Sequence, residues 1–225
     1  MEYQSDSYRQ VNDAKPDACL AATRWLPRYL RFFRDAEAVD LEYLSDNRIA
    51  VALNIESAQV HQDLAVTGIK GKPGISFRTA ELIHAIEQYL GWDNTTDALL
   101  IGAGHLGAAL AGYAGFERYG LNILAVFDID DHKVGRKLSG RPVHHFDRVV
   151  SIAQQTHAHM GIVAVPGALA QDVTDVLVLA GIRAIWNFAP VRLNVPPSVA
   201  LETTDLAASL AVLSLRLADA LRPNR

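Results

Sequence analysis

The stretch ALLIGAGHLGAALAGYAGF, residues 98–116, decides the fold. Residues 98–101 are a short apolar run. Gly102-Ala103-Gly104-His105-Leu106-Gly107 follows, and residues 108–114 are rich in Ala and Leu. The order is strand, tight turn, helix, and the glycines keep the dinucleotide spacing G-x-G-x-x-G. Gly102 permits the turn. Gly104, without a Cβ, lets a pyrophosphate approach the backbone, and Gly107 lets the helix lie close to the sheet. The first helical N–H groups face the phosphates, and the helix dipole favours their charge. A second apolar run, residues 121–127, ends at Asp128, 26 residues after Gly102, against an expected spacing of about 20. An acid there bonds ribose hydroxyls and repels a 2′-phosphate, which favours NAD(H) over NADP(H). The alternative is a glycine-rich turn in an α/β domain without a nucleotide.

Working outward, the second half alternates strand and helix. Strands are expected at 98–101, 122–127, 142–144, 161–165 and 183–186, and helices at 105–116, 147–157 and 168–180. That alternation predicts a parallel, doubly wound sheet. Val165-Pro166-Gly167 and Asn187-Phe188-Ala189-Pro190 follow strands and should reach the carboxyl edge, where nucleotides bind. Ordinary turn chemistry is the other account of them. Asp205 can cap a last helix running to residue 221. Its many leucines make it too apolar to lie free, so it covers its own sheet or packs on a second chain.

Residues 1–17 are polar and read as a loosely packed arm. Residues 18–34 look helical, with Leu26, Leu30 and Phe33 on one face, and Pro27 should start or kink that helix. Arg24, Arg28, Arg31 and Arg34 give it a basic side. Three short helical pieces are expected in 41–66: one at 41–44, one capped by Ser45 or Asp46 and running to Leu53, and one capped by Ser57. The last two make a helix-turn-helix candidate. Pro73-Gly74 suits a type II turn, so 67–77 reads as a hairpin wing. Residues 79–91 form an amphipathic helix ended by Gly91, and WDNTTD, residues 92–97, reads as a linker. The expected division is an arm and winged-helix domain (1–95), a Rossmann domain (96–204) and a dimer helix (205–225).

The chain has 225 residues, half of them hydrophobic and 20% charged, as in an ordinary globular protein. No apolar run approaches a membrane span, and the polar N-terminus does not read as a signal peptide. Cys19 is the only cysteine. An intrachain disulfide is therefore excluded, and a reducing cytoplasm fits. Residues 1–95 hold ten Lys/Arg against 14 Asp/Glu, while 96–225 hold 11 of each. That balance argues against indiscriminate nucleic-acid binding.

Taken together, the chain resembles the Rex family of redox-sensing transcriptional repressors over residues 24–217. The resemblance rests on RYLRFF (28–33), AQV and DL (58–64), GAGHLGAALAGYAGF (102–116), FDIDDHKVG (127–135), AIWNFAPVRLNVP (184–196) and TDLAASLAVLS (204–214). It implies a winged helix joined to a Rossmann domain, and a homodimer with exchanged C-terminal helices. It also implies release from operator DNA by NADH. Gly102, Ala103, Gly104, His105, Leu106 and Gly107 would form the phosphate turn. Asp128 would hold the adenosine ribose with Asp130 and Lys133 beside it. Val165, Pro166, Asn187, Phe188 and Ala189 would line the way to the nicotinamide. Arg31, Tyr113 and Asp205 match a polar switch linking nicotinamide state to domain orientation. Ser57, Gln59, His61, Gln62, Lys70 and Lys72 would face DNA. No metal site is expected.

The departures cluster on the DNA side. The family's recognition helix usually reads V-R-K-D-L-S, whereas here it is Val60-His61-Gln62-Asp63-Leu64-Ala65. The wing's usual Arg-Gly-x-Gly-Tyr is also replaced. Fewer cations mean weaker hold on phosphate, although Gln62 suits an adenine edge. Three readings follow: an NADH-released repressor that is not an enzyme; an NAD(H)-binding dimeric sensor with weakened or lost DNA binding, acting through a protein partner; and an NAD-dependent oxidoreductase. The last lacks an acid–base pair beside the nicotinamide.

Overall fold

The structure, a computed structural model, describes residues 17–69 and 77–222. The expected arm, the tip of the wing and the cations Lys70 and Lys72 lie outside the described residues. The chain divides into two compact units, Met1–Asp93 and Asn94–Arg225.

In the first unit α1 spans Asp17–Glu37. It is followed by β1 (Tyr43–Leu44), α2 (Asp46–Leu53), α3 (Ser57–Ala65), β2 (Phe77–Arg78) and α4 (Thr79–Leu90). α1 runs through Pro27 rather than starting there. An internal proline costs about 3 kcal/mol. Leu26, Tyr29, Leu30 and Phe33 are all fully buried along one face, and each such side chain contributes roughly 1.5–3 kcal/mol, so packing outweighs the proline.

Residues 41–44 are not helical. β1 pairs antiparallel with β2, with Leu44 opposite Phe77. Thr79 fastens the join, its N–H donating to Glu42 O at 2.9 Å and its hydroxyl to Leu41 O. The strand's partner lies far along the chain, at Phe77–Arg78, where no local pattern reveals it. Thr67 and Gly68 form a turn rather than a first wing strand. Ser45 caps α2, its hydroxyl accepting from the Arg48 N–H. Asn54 ends α2 in the left-handed region, and α3 starts after Glu56, one residue before the expected cap. Gly91 closes α4 with φ 69°.

The second unit opens with β3 (Thr96–Ile101), α5 (His105–Ala111) and β4 (Leu121–Asp128). Then come β5 (Lys137–Leu138), β6 (Arg141–His145), α6 (Val149–Thr156) and β7 (Met160–Val163). It closes with α7 (Gly167–Leu179), β8 (Ala184–Asn187), β9 (Ala200–Thr203) and α8 (Leu206–Ala220). One seven-stranded sheet runs in the order β5-β6-β4-β3-β7-β8-β9, parallel except for β5. Alternate residues of β3 serve the two faces. Leu99 and Ile101 pack with α6 and α7, and Ala98 and Leu100 with the α5 side. That alternation is the period of two that a strand imposes.

Two features differ from the reading of the sequence, and a third decides between its alternatives. β5 and β9 are additional strands. α5 stops at Ala111 rather than residue 116, because Gly112 follows and the Arg141 guanidinium takes the helix's terminal carbonyl, donating to Ala111 O at 2.6 Å. Finally, every residue of α8 is exposed, including Leu206, Leu210, Leu213 and Leu217. Within the chain this helix covers no sheet.

Candidate dinucleotide site and candidate DNA-facing helix

The chain leaves β3 for β4 on one side and returns to β7 on the other, so the carboxyl ends of β3, β4 and β7 flank a topological switch point. A cleft of about 550 Å³ opens there. It is lined by the glycine turn, by Phe127–Asp130 and Lys133, by Phe146, and by Ala164–Pro166 with the first three turns of α7.

The three glycines do three different things. Gly102 has φ +106°, and a Cβ on it would strike the Ala164 carbonyl. A Cβ on Gly107 would overlap the Gly102 carbonyl, so α5 rests directly on the turn. A Cβ on Gly104 meets nothing within 4 Å. Gly104 is exposed and lines the cleft. Two glycines thus build the turn, and the third leaves room on the side where a phosphate would lie.

Asp128 ties the turn to β4. Its Oδ2 accepts from Ala103 N at 2.8 Å and from Lys133 Nζ at 3.0 Å. Its Oδ1 accepts from Asp130 N at 3.0 Å. Burial pushes the carboxyl up, but the bonds from Asp130, Lys133 and Ala103 outweigh it and hold the group below the usual carboxylate range. The group is anionic and fixed, with lone pairs left for hydroxyl donors. His105 and Leu106 are exposed at the start of α5. The apolar walls from Ile129, Phe146, Leu169, Val173 and Val176 were not singled out in the sequence. Ile129 stands beside the motif acid, and the α7 residues recur at helical spacing. Those were the available signals.

Val165 and Pro166 line the cleft. Asn187, Phe188 and Ala189 do not. The Asn187 amide is wholly buried, donating to Ala189 O and Val191 O and accepting from Ala189 N, which shapes the loop after β8. Tyr113 is exposed just past α5, its ring edge-on to Phe116 at 4.9 Å. Phe116 meets Trp186, and Trp186 Nε1 donates to Thr204 Oγ1 at 2.8 Å. Asp205 caps α8, accepting from Ala207 N and Ala208 N. Tyr113 and Asp205 therefore share one unit, while Arg31 lies on the exposed side of α1 in the other. No group of residues fit to hold a metal occurs among the described residues, and no described helix is long and apolar enough to cross a membrane.

On α3, His61 and Gln62 are exposed and Ser57 is half-buried. His61 Nδ1 lies 3.8 Å from Asp46 Oδ2. Gln59 is exposed as well, its amide donating along the helix to Asp63 Oδ1 at 2.7 Å. Asp63 is 2% exposed and accepts the Tyr29 hydroxyl at 2.9 Å. Burial and that carboxylate raise the Tyr29 hydroxyl far above its ordinary pKa, so it stays a proton donor. This buried bond fixes α3 to α1.

A helix-turn-helix unit carried with a Rossmann-type nucleotide unit defines a class, that of ligand-sensing DNA-binding proteins. Comparison makes the class specific. A CoA binding domain model matches residues 93–191. The redox-sensing transcriptional repressor Rex of Treponema denticola is 41% identical over 87% of this chain and 93% of its own length. That of Bacteroides fragilis is 37% identical over 86% and 88%. The crystal structure of RSP in complex with β-NAD⁺ and operator DNA superposes with a TM-score of 0.84 at 36% identity, covering 89% of this chain and 92% of RSP. The complex of RSP with β-NADH gives 0.80 at 34%, covering 89% and 94%. The chain belongs to the Rex family, whose members named here are repressors and not enzymes.

Proposed function

We propose that this protein is a redox-sensing transcriptional repressor. It binds operator DNA through α2 and α3, holds NAD(H) in the cleft, and leaves DNA when NADH replaces NAD⁺. The observation that carries the reading is the cleft itself. A glycine turn open at Gly104 stands beside a fixed aspartate, in a chain superposing over most of its length on a repressor bound to NAD⁺ and operator DNA. The residues fit the dinucleotide: Gly102–Gly107 for the pyrophosphate, Asp128 for the ribose, Val165 and Pro166 towards the nicotinamide. Asp128 disfavours a 2′-phosphate, so NAD(H) is preferred to NADP(H). The exposed leucines of α8 support a homodimer in which that helix is covered by the partner, since an apolar face of that kind is an association surface. Arg31, Tyr113 and Asp205 are the proposed switch, and the cytoplasm the proposed compartment.

A gel-shift titration on DNA upstream of the protein's own gene tests the reading. The complex should survive NAD⁺ and be lost with NADH. A complex indifferent to NADH overturns the proposal. His61 and Gln62, where the family carries cations, favour a second reading, in which DNA binding is lost and a protein partner is engaged. Tight NADH binding with no DNA shift at low salt selects that one.

A further inference from the structure

The order of the cleft is set by its polar groups. The glycine turn takes phosphates and Asp128 the ribose, so the base lies beyond Asp128, among Ile129, Phe146, Leu169, Val173 and Val176. These are flat or branched apolar walls suited to a heteroaromatic ring. One charged group interrupts them. Asp172, on α7, lines the same cleft. Its neighbours Gln171 and Asp175 bond to each other at 2.8 Å. The exposed Asp172 carboxylate makes no hydrogen bond or ion pair with any described residue, and the positions three and four away on α7 are Ala168, Leu169, Asp175 and Val176, none of them a cation.

We infer that Asp172 reads the exocyclic amine of the adenine base and so sets the base specificity of the cleft. This rests on the proposal that the cleft holds NAD(H). The chemistry is one-sided. An ionised carboxylate only accepts hydrogen bonds, so it matches a 6-amino group and opposes a 6-oxo group. An apolar pocket alone discriminates weakly between bases of the same shape. A placed acceptor discriminates strongly, because the wrong base leaves it unpaired or repelled. Asp128, Asp130 and Lys133 contribute nothing to this choice, since they sit at the ribose end of the cleft.

The test is calorimetric binding of NADH and of reduced nicotinamide hypoxanthine dinucleotide, which differs only at the base. The native protein should prefer NADH by about tenfold, the worth of one hydrogen bond to a charged group. Asp172→Ala should weaken NADH binding to near the hypoxanthine value and leave the latter little changed. Asp172→Asn should favour the hypoxanthine dinucleotide relative to the native protein, because its amide can donate to the 6-oxo group. Circular dichroism and melting of each variant establish that it is folded. Equal binding of the two dinucleotides by the native protein, or an unchanged preference in Asp172→Ala, overturns the inference while leaving NADH binding in the cleft intact. Failure of the native protein to bind NADH at all overturns the underlying proposal instead.

Discussion

Each unit positions its working element with one aspartate, and the two are used differently. Asp128 stands at the ligand surface and draws the glycine turn, β4 and Lys133 together with charge-assisted bonds. Asp63 is sealed inside its unit and holds α3 to α1 through the Tyr29 hydroxyl, while Gln59 of the same helix takes its other oxygen. The first organises a place where charge is offered to a ligand. The second takes a negative charge off the surface of α3 and leaves His61 and Gln62 exposed there. A carboxylate on the proposed recognition helix is thus no obstacle to the proposed binding of a polyanion when it is buried and bonded.

The largest expected effect comes from the glycines. Gly107→Ala forces a methyl into the Gly102 carbonyl, so the second unit should lose about 4 kcal/mol or more and bind no NADH. Gly104→Ala meets open space. It should change stability by less than about 0.5 kcal/mol yet weaken NADH binding. Melting curves and calorimetry on the two variants separate a glycine that builds the turn from one that admits the ligand. Equal loss of stability in both would erase that distinction.

Next in size is the buried anchor. Tyr29→Phe leaves Asp63 short of a donor, which costs about 1–3 kcal/mol. Operator affinity should fall with it, while NADH binding, a property of the other unit, stays as it was. Denaturant unfolding with NADH calorimetry on the same sample checks both halves. An intact DNA shift at unchanged stability means α3 is held by packing alone.

Asp128 predicts a pH effect of known sign. Its carboxyl lies below the usual range in the folded protein, so its contribution to stability is present above the ordinary carboxylate value, about 4, and is lost as pH falls through the folded value. Asp128→Asn should flatten that acid-side fall in melting temperature and narrow the preference for NADH over NADPH. A parallel fall in both proteins assigns acid loss to other carboxylates.

How legible was all this? The nucleotide unit could be read because its physics is local. The glycine spacing, the apolar runs of β3 and β4 and the acid at residue 128 sit within one stretch, and the strand–helix alternation carries the rest. β9 was missed because it owes its existence to pairing with β8, and β5 because two residues against β6 leave no period. In the first unit the decisive interactions are distant. β1 is a strand only through β2, and α1 ignores Pro27 only because four buried side chains hold it. Asp63 looked like a motif letter, and its role needs Tyr29, 34 residues earlier. Asn187 was read as cleft lining but is turned into its own loop.

The smallest expected effect is on the proposed DNA face, and it tests whether α3 meets phosphate at all. His61 and Gln62 are exposed, and α3 itself carries no lysine or arginine beside them. Restoring charge by His61→Arg with Gln62→Lys should raise operator affinity severalfold and steepen the log–log salt slope by roughly 0.9 for each further phosphate neutralised. One neighbour limits the increase. Asp46 lies 3.8 Å from the His61 ring, and its Oδ1 is buried without a hydrogen-bond partner among the described residues, so an arginine at 61 is drawn towards it and away from phosphate. Adding Asp46→Asn, which keeps the side chain's shape but removes its charge, should release that arginine and increase both affinity and slope beyond the double change. NADH should still dissociate every variant, since the cleft is untouched. Fluorescence anisotropy over a salt series resolves the set. If neither the double nor the triple change moves the slope, α3 does not lie against DNA, and the partner-binding reading of this face takes its place.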